Sequence, residues 1–166
     1  MDIKRGYVYF VRDAFFDKVK DPYLKINYET TKRPHYFAFR DMATSLYWLV
    51  PCSSKVEKFE RILQAKKEQH KPTDTIKVVP IQGRKTALLF QDMFPILDTY
   101  IDSQYIRGGQ PVYIANPKVV QELEKTARKV IKLLRRGIHF TPTQPDVRRI
   151  ERLMLDELRA DASDHE

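Results

Sequence analysis

Leu46-Tyr47-Trp48-Leu49-Val50-Pro51-Cys52-Ser53-Ser54-Lys55-Val56 is the stretch on which the fold turns. Leu46 to Val50 is a continuous apolar and aromatic run of strand length, and Pro51, which has no N–H to donate, is expected to close that strand. Beyond it Val56, Phe59, Ile62 and Leu63 recur at helical spacing, which predicts a helix to about Gln69, with Glu57 four residues before Arg61 as a supporting ion pair. Immediately upstream, His35 to Arg40 reads as a second strand and Asp41 to Ser45 as the turn between them. A hairpin inside an antiparallel sheet, leading directly into a helix, follows from that order.

Working outward, Tyr7 to Val11 is aromatic and β-branched and reads as an opening strand, and Asp13 is the expected cap of a short helix from Ala14 to Val19. Asp21-Pro22 ends that helix, and Lys25 to Pro34 is a polar loop. On the other side, Ile76 to Ile81 and Thr86 to Phe90 form a second predicted hairpin around Gln82-Gly83-Arg84-Lys85. Leu97 to Ile106 has no single periodic reading, whereas Pro111 to Ile114 reads as a last strand. Asn116-Pro117 then opens a helix with proline at its first position. Val120, Leu123, Ala127, Val130, Ile131 and Leu134 share one face of it, opposite Lys118, Lys125, Lys129, Lys132 and Arg136. Gly137 stands where this helix would end, and a further amphipathic helix using Val147, Ile150, Met154 and Leu158 follows Pro145. Asp161, Asp164 and Glu166 are expected to fray. The predicted class is α+β, one domain with an antiparallel sheet and flanking helices.

The chain has 166 residues, 42% of them hydrophobic, enough for one core and too few for two independent ones. Charges at Asp2, Lys4, Arg5, Arg12, Asp13, Asp17, Lys18 and Lys20 leave no room for the apolar part of a secretory signal, and no run approaches the about 20 residues of a membrane span. Cys52 is the sole cysteine, so no internal disulfide forms and a cytoplasmic location is expected. Thirty lysines and arginines against 22 acids give a net charge of +8, which favours a polyanionic partner. His35, His70, His139 and His165 are scattered and Cys52 lacks a second cysteine, so neither a metal site nor a cofactor is expected; the glycines form no phosphate-cradling loop.

Pro51-Cys52-Ser53-Ser54-Lys55 places two hydroxyls and an ammonium where a buried strand meets a helix start. Helix-start amides, serine hydroxyls and a lysine together suit a phosphate, although serine before a helix also serves as an ordinary cap. The basic face of the 117–136 helix has the same two readings, a solvated surface or a track for phosphates.

The order of these motifs resembles the ToxN/AbiQ family, the endoribonuclease toxins of type III toxin–antitoxin systems, in particular a CptN-like branch. The resemblance rests on the aromatic opening strand, the polar loop, the strand entered after Arg33-Pro34-His35, the apolar strand with Pro51-Cys52-Ser53-Ser54-Lys55, Phe90-Gln91-Asp92-Met93-Phe94-Pro95-Ile96, and the basic helix. It covers residues 1–137; 138–166 are expected to be a helical extension and acidic tail of the same domain. It implies a twisted antiparallel sheet similar to the Kid/MazF toxins, wrapped by helices, and metal-independent RNA cleavage. The family's strand-end serine and lysine match Ser53 and Lys55. Cys52 departs from the usual threonine, and His35 stands where a lysine is common, which leaves the acid–base assignment open; His35 is a candidate because imidazole titrates near neutrality, although a lone histidine is more often structural. Cys52, Ser54 and Arg33, with Lys118, Lys125, Lys129, Lys132 and Arg136, are the expected RNA contacts. The implied reaction is attack of a ribose 2′-hydroxyl on its own 3′-phosphate, leaving a 2′,3′-cyclic phosphate and a 5′-hydroxyl. The implied partners are the RNA substrate and an inhibitory antitoxin RNA, a pseudoknot repeat, in a closed protein–RNA hetero-oligomer. Two other readings fit the same residues: a non-catalytic RNA-binding module, and a Kid/MazF-type toxin silenced by a protein antitoxin.

Overall fold

The computed structural model describes all 166 residues. Strand β1 (Val8–Val11) leads into helix α1 (Asp13–Val19), and β2 (Pro34–Asp41) and β3 (Leu46–Ser53) form the central hairpin before α2 (Val56–Glu68). The second hairpin is β4 (Ile76–Ile81) and β5 (Arg84–Leu89). Short strands β6 (Phe94–Ile96), β7 (Ile101–Gln104), β8 (Ile106–Arg107) and β9 (Gln110–Pro111) follow, and α3 (Pro117–Arg135) and α4 (Val147–Ser163) complete the chain. No helix is long and apolar enough to cross a membrane.

Seven strands form one antiparallel sheet in the order β4-β5-β3-β2-β1-β7, with β6 also on β3; β8 and β9 pair separately. Strand β3 changes neighbour along its length. Tyr47, Trp48 and Leu49 pair with β6, whereas Cys52 and Ser53 pair with Leu88 and Ala87 of β5. Contrary to the sequence expectation, Pro51 does not close the strand. It falls in the gap between the two neighbours, where the ladder on that side is already interrupted, so its missing N–H removes little pairing. The β4–β5 loop is also shorter than expected. Only Gln82 and Gly83 lie outside the strands, with φ of 49° and 77°, the positive pair of a tight hairpin turn that glycine favours.

Helix α3 covers one face of the sheet. Val120, Leu123, Ala127, Val130, Ile131 and Leu134 are buried against Val8, Tyr36, Ala38, Trp48, Val50 and Leu88. Each fully buried aliphatic side chain there is worth roughly 1.5–3 kcal/mol, so this face alone fixes the helix. Asn116 caps it by accepting from the Lys118 N–H at 3.0 Å. At the other end Gly137, at φ 82°, lets its own N–H reach the Leu134 carbonyl and the Ile138 N–H reach that of Leu133, which stops the helix. Helices α1 and α4 cover the opposite face, where Phe15, Phe16, Val19, Ile150 and Met154 meet Phe37, Leu49, Phe94 and Ile96. Helix α2 lays Phe59 on Ile76, Ala87 and Leu89 of the second hairpin.

Four local expectations are corrected. Asp13 is the first residue of α1, not its cap, because Arg12 occupies the cap position. Arg61 makes no ion pair with Glu57; Glu60 reaches Lys85 instead. Pro111 to Ile114 is not a regular strand: only Pro111 belongs to β9, while Val112 donates to the Tyr105 carbonyl and accepts from the Val8 N–H, Tyr113 forms an isolated bridge with Tyr7, and Ile114 donates to the Gly6 carbonyl. Asp161 lies within α4, which runs to Ser163.

Candidate active site

Where β3 ends, the part of the α3 side of the sheet that the helix does not reach opens into a cleft of about 490 Å³. Its floor is Cys52, Ser53, Ser54 and Lys55. One wall is the polar loop before β2, presenting Lys25, Tyr28, Arg33 and Pro34; the other comes from the two hairpins, presenting Arg84, Lys85, Thr86, Tyr105 and Arg107. The first wall is rigid for a local reason. The Asn27 side chain donates to the Val11 carbonyl (2.8 Å) and Asp13 (2.9 Å) and accepts from the Arg33 N–H (3.0 Å), closing the loop on itself. Arg33 then donates from Nε to the Ile26 carbonyl (2.6 Å) and from Nη1 to the Tyr28 hydroxyl (2.9 Å), with its guanidinium 4.1 Å from the Tyr28 ring centre.

On the floor, Ser53 Oγ accepts from the Lys55 N–H at 3.2 Å, bending the chain out of β3. Lys55, not a serine, occupies the cap position of α2, and no side chain caps the helix. The first-turn amides of α2 therefore keep their partial positive charge beside Ser54, Lys55 and Lys58, all of which line the cleft. Seven lysines and arginines line it with no aspartate, glutamate or histidine, and only Lys85 has a carboxylate partner, Glu60 at 3.4 Å. Such a field attracts an anion and stabilises negative charge that grows within it.

The structure brings Arg33, Cys52, Ser53, Ser54 and Lys55 together, but not His35. Side chains alternate along β2: Pro34 faces the cleft and Tyr36 the α3 core, while His35 and Phe37 point through the sheet to the other side. His35 is 1% exposed, edge-on to Phe94 at 5.3 Å, with Nδ1 unpaired. Burial pushes its pKa down to about 4, so the ring is neutral near pH 7. Its placement, sealed beneath the sheet and outside the cleft, does not fit the expectation that it is the acid–base group of this site. Cys52 reaches the floor as a thiol, since burial pushes its pKa up to about 12.

The α3 stripe stands apart from the cleft: Lys118, Lys125, Lys129, Lys132 and Arg136 are exposed and none lines it. Lys125 meets Glu122 at 3.4 Å and Lys129 meets Asp74 at 2.6 Å, while the other three have no carboxylate partner. Sequence reading missed Lys25, Tyr28, Lys58, Arg84, Lys85, Tyr105 and Arg107 as site residues. The one signal pointing to any of them was the Arg84-Lys85 pair after a hairpin turn, next in space to Ser53 through the pairing of Ser53 with Ala87.

A seven-stranded antiparallel sheet between helices, with a basic cleft at a central strand's end, defines a single-domain α+β protein. Among solved structures this chain is similar to AbiQ, a lactococcal anti-phage endoribonuclease belonging to the type-III toxin–antitoxin system, at 12% identity and a TM-score of 0.70, over 94% of this chain and 99% of that one. The two share a fold, as the order of sequence motifs led us to expect. No family model and no curated protein matches the sequence.

Proposed function

We propose that the protein is an endoribonuclease toxin of a type III toxin–antitoxin system that cleaves RNA without a metal ion. The observation that carries this reading is the acid-free cleft of seven cations around Ser53 and Lys55, in a fold shared with an anti-phage endoribonuclease. The RNA supplies the nucleophile: its 2′-hydroxyl attacks the adjacent phosphorus, the bond to the 5′-oxygen breaks, and a 2′,3′-cyclic phosphate and a 5′-hydroxyl remain. Lys55, the Ser53 hydroxyl and the open amides of α2 stabilise charge on the non-bridging oxygens, and Arg33 and Ser54 hold the chain in line. A lysine ammonium of the cleft supplies the proton gained by the 5′-oxygen, and the proton lost by the 2′-oxygen passes to solvent water in the open cleft, with His35 outside the reaction.

The exposed stripe Lys118, Lys125, Lys129, Lys132 and Arg136 is the docking surface of an inhibitory antitoxin RNA, a folded repeat held with the protein in a closed assembly. The stripe supplies positive surface that a single scissile phosphate does not use. End-group analysis of RNA cut by the purified protein in excess EDTA tests the chemistry. Cyclic phosphates and 5′-hydroxyls are expected; fragments with 5′-phosphates formed only with magnesium would overturn the mechanism, and binding without cutting would leave an RNA-binding module.

A further inference from the structure

The cleft has a second built feature, on the wall opposite Arg33. Arg107, half-buried on β8, crosses to the turn of the β4–β5 hairpin and donates from Nη2 to the carbonyl oxygens of Ile81 (3.1 Å) and Gln82 (3.3 Å). The clasp is returned by the Gln82 side chain, which donates to the Pro111 carbonyl on the other hairpin. Two short hairpins, neither stable alone, are thus locked together at the rim of the cleft.

The clasp uses one nitrogen of a planar five-donor fork and leaves Nε and Nη1 without an acceptor. No carboxylate pairs with Arg107, and its neighbour on this wall, Arg84, is exposed and equally unpaired. A guanidinium immobilised by backbone carbonyls, with free donors and a second cation beside it, is prearranged for a tetrahedral anion, because little side-chain entropy remains to be lost on binding. The scissile phosphate is already served by Ser53, Lys55 and the start of α2, so the anion for this wall is a different one. Resting on the reading of the cleft as an RNA site, the geometry points to Arg107, with Arg84, as a second phosphate subsite that grips the phosphodiester neighbouring the scissile one. The protein then needs a substrate of at least three nucleotides for full affinity, and Arg107 measures that length.

Uncleavable 2′-deoxy oligonucleotides separate this subsite from the chemistry, since their binding reads the cleft whether or not RNA is cut. For wild-type protein, adding a third nucleotide and its phosphate to a deoxydinucleotide should tighten binding about tenfold, as expected for one charge-assisted contact. That increment should vanish in Arg107→Ala, with dinucleotide affinity unchanged, and be partly kept in Arg107→Lys. A neutral methylphosphonate at the added position should remove it from the wild type, which needs no variant to fold, and cause no further loss in Arg107→Ala. An equal loss on the dinucleotide, or a methylphosphonate trinucleotide that binds wild type like the natural one, overturns the subsite. Absence of RNA cleavage alongside an intact phosphate increment would refute the nuclease reading alone.

Discussion

Replacing His35 by leucine, close to it in volume, should change the pH dependence of stability and not the chemistry. The imidazole is sealed in the core with a pKa down to about 4, against 6.5 in the unfolded chain. The unfolded state therefore binds a proton that the folded state refuses. The stability tied to this group is fully present above pH 6.5 and is lost as pH falls through the folded pKa, about 3 kcal/mol in all at 1.36 kcal/mol per pH unit. Asp92 acts in the opposite direction. Burial pushes its carboxyl up to about 6 against the opposing pull of Lys25, so its contribution is fully present below pH 3.8 and is lost as pH rises through about 6. Asp92 is only partly buried, which puts its share at roughly 2 kcal/mol. In the wild type the two effects largely cancel over about pH 6 to 4.5, and the unfolding free energy from urea titrations should drift by only about 1 kcal/mol between those limits. His35→Leu removes one side of the balance, so the variant should become about 1 kcal/mol more stable across that interval as pH falls. Urea titrations followed by tryptophan fluorescence, with Trp48 as the sole reporter, measure both curves. Parallel curves would refute the argument that His35 titrates from a buried site. At neutral pH the same variant should keep kcat/KM for RNA within about threefold of wild type; a hundredfold loss with intact folding would return His35 to the mechanism.

Lys55→Ala should lower the rate of RNA cleavage by about 100- to 1,000-fold, as for one oxyanion-hole donor, with unchanged circular dichroism, and Ser53→Ala should lose less. Cleavage by Lys55→Ala near the wild-type rate would remove that residue from the reaction. Glutamine at Lys118, Lys132 and Arg136 should weaken binding of the inhibitory RNA and reduce its logarithmic salt slope by about one unit per lost contact, while cutting of short oligonucleotides stays unchanged. Filter binding across a salt series reads this, and an unaltered slope would place the RNA elsewhere. Gly137→Ala forces a β-carbon into a left-handed conformation at φ 82°, 3.1 Å from Arg148 Nη1, and should destabilise the fold by about 1 kcal/mol in a urea titration.

Most elements were legible because their periodicity is strong. The six apolar positions of α3 are all buried, with Asn116 and Gly137 at its two ends as expected. Pro51 misled because the penalty for a missing N–H depends on whether a neighbour waits to receive it, and the switch of β3 from β6 to β5 is a property of the whole sheet. His35 misled for a similar reason: nearness in sequence to Arg33 said nothing about the face on which alternation would place it. Ser53 and Lys55 could be picked out as a local constellation. Arg107, Lys25 and Tyr28 could not, because the two walls meet only after the sheet has assembled and no local pattern marks them.

The divided partnership of β3 also has a mechanical meaning. The β4–β5 hairpin and α2 form a wing that the ladder joins to the main sheet through two residue pairs, Cys52 with Leu88 and Ser53 with Ala87. One wall of the cleft is built partly on this wing and the other on the main body, and the two meet at Ser53. The same short junction thus carries both the serine on the floor and the hairpin whose arginine stands at the rim, so the spacing between them is fixed by two rungs of one ladder.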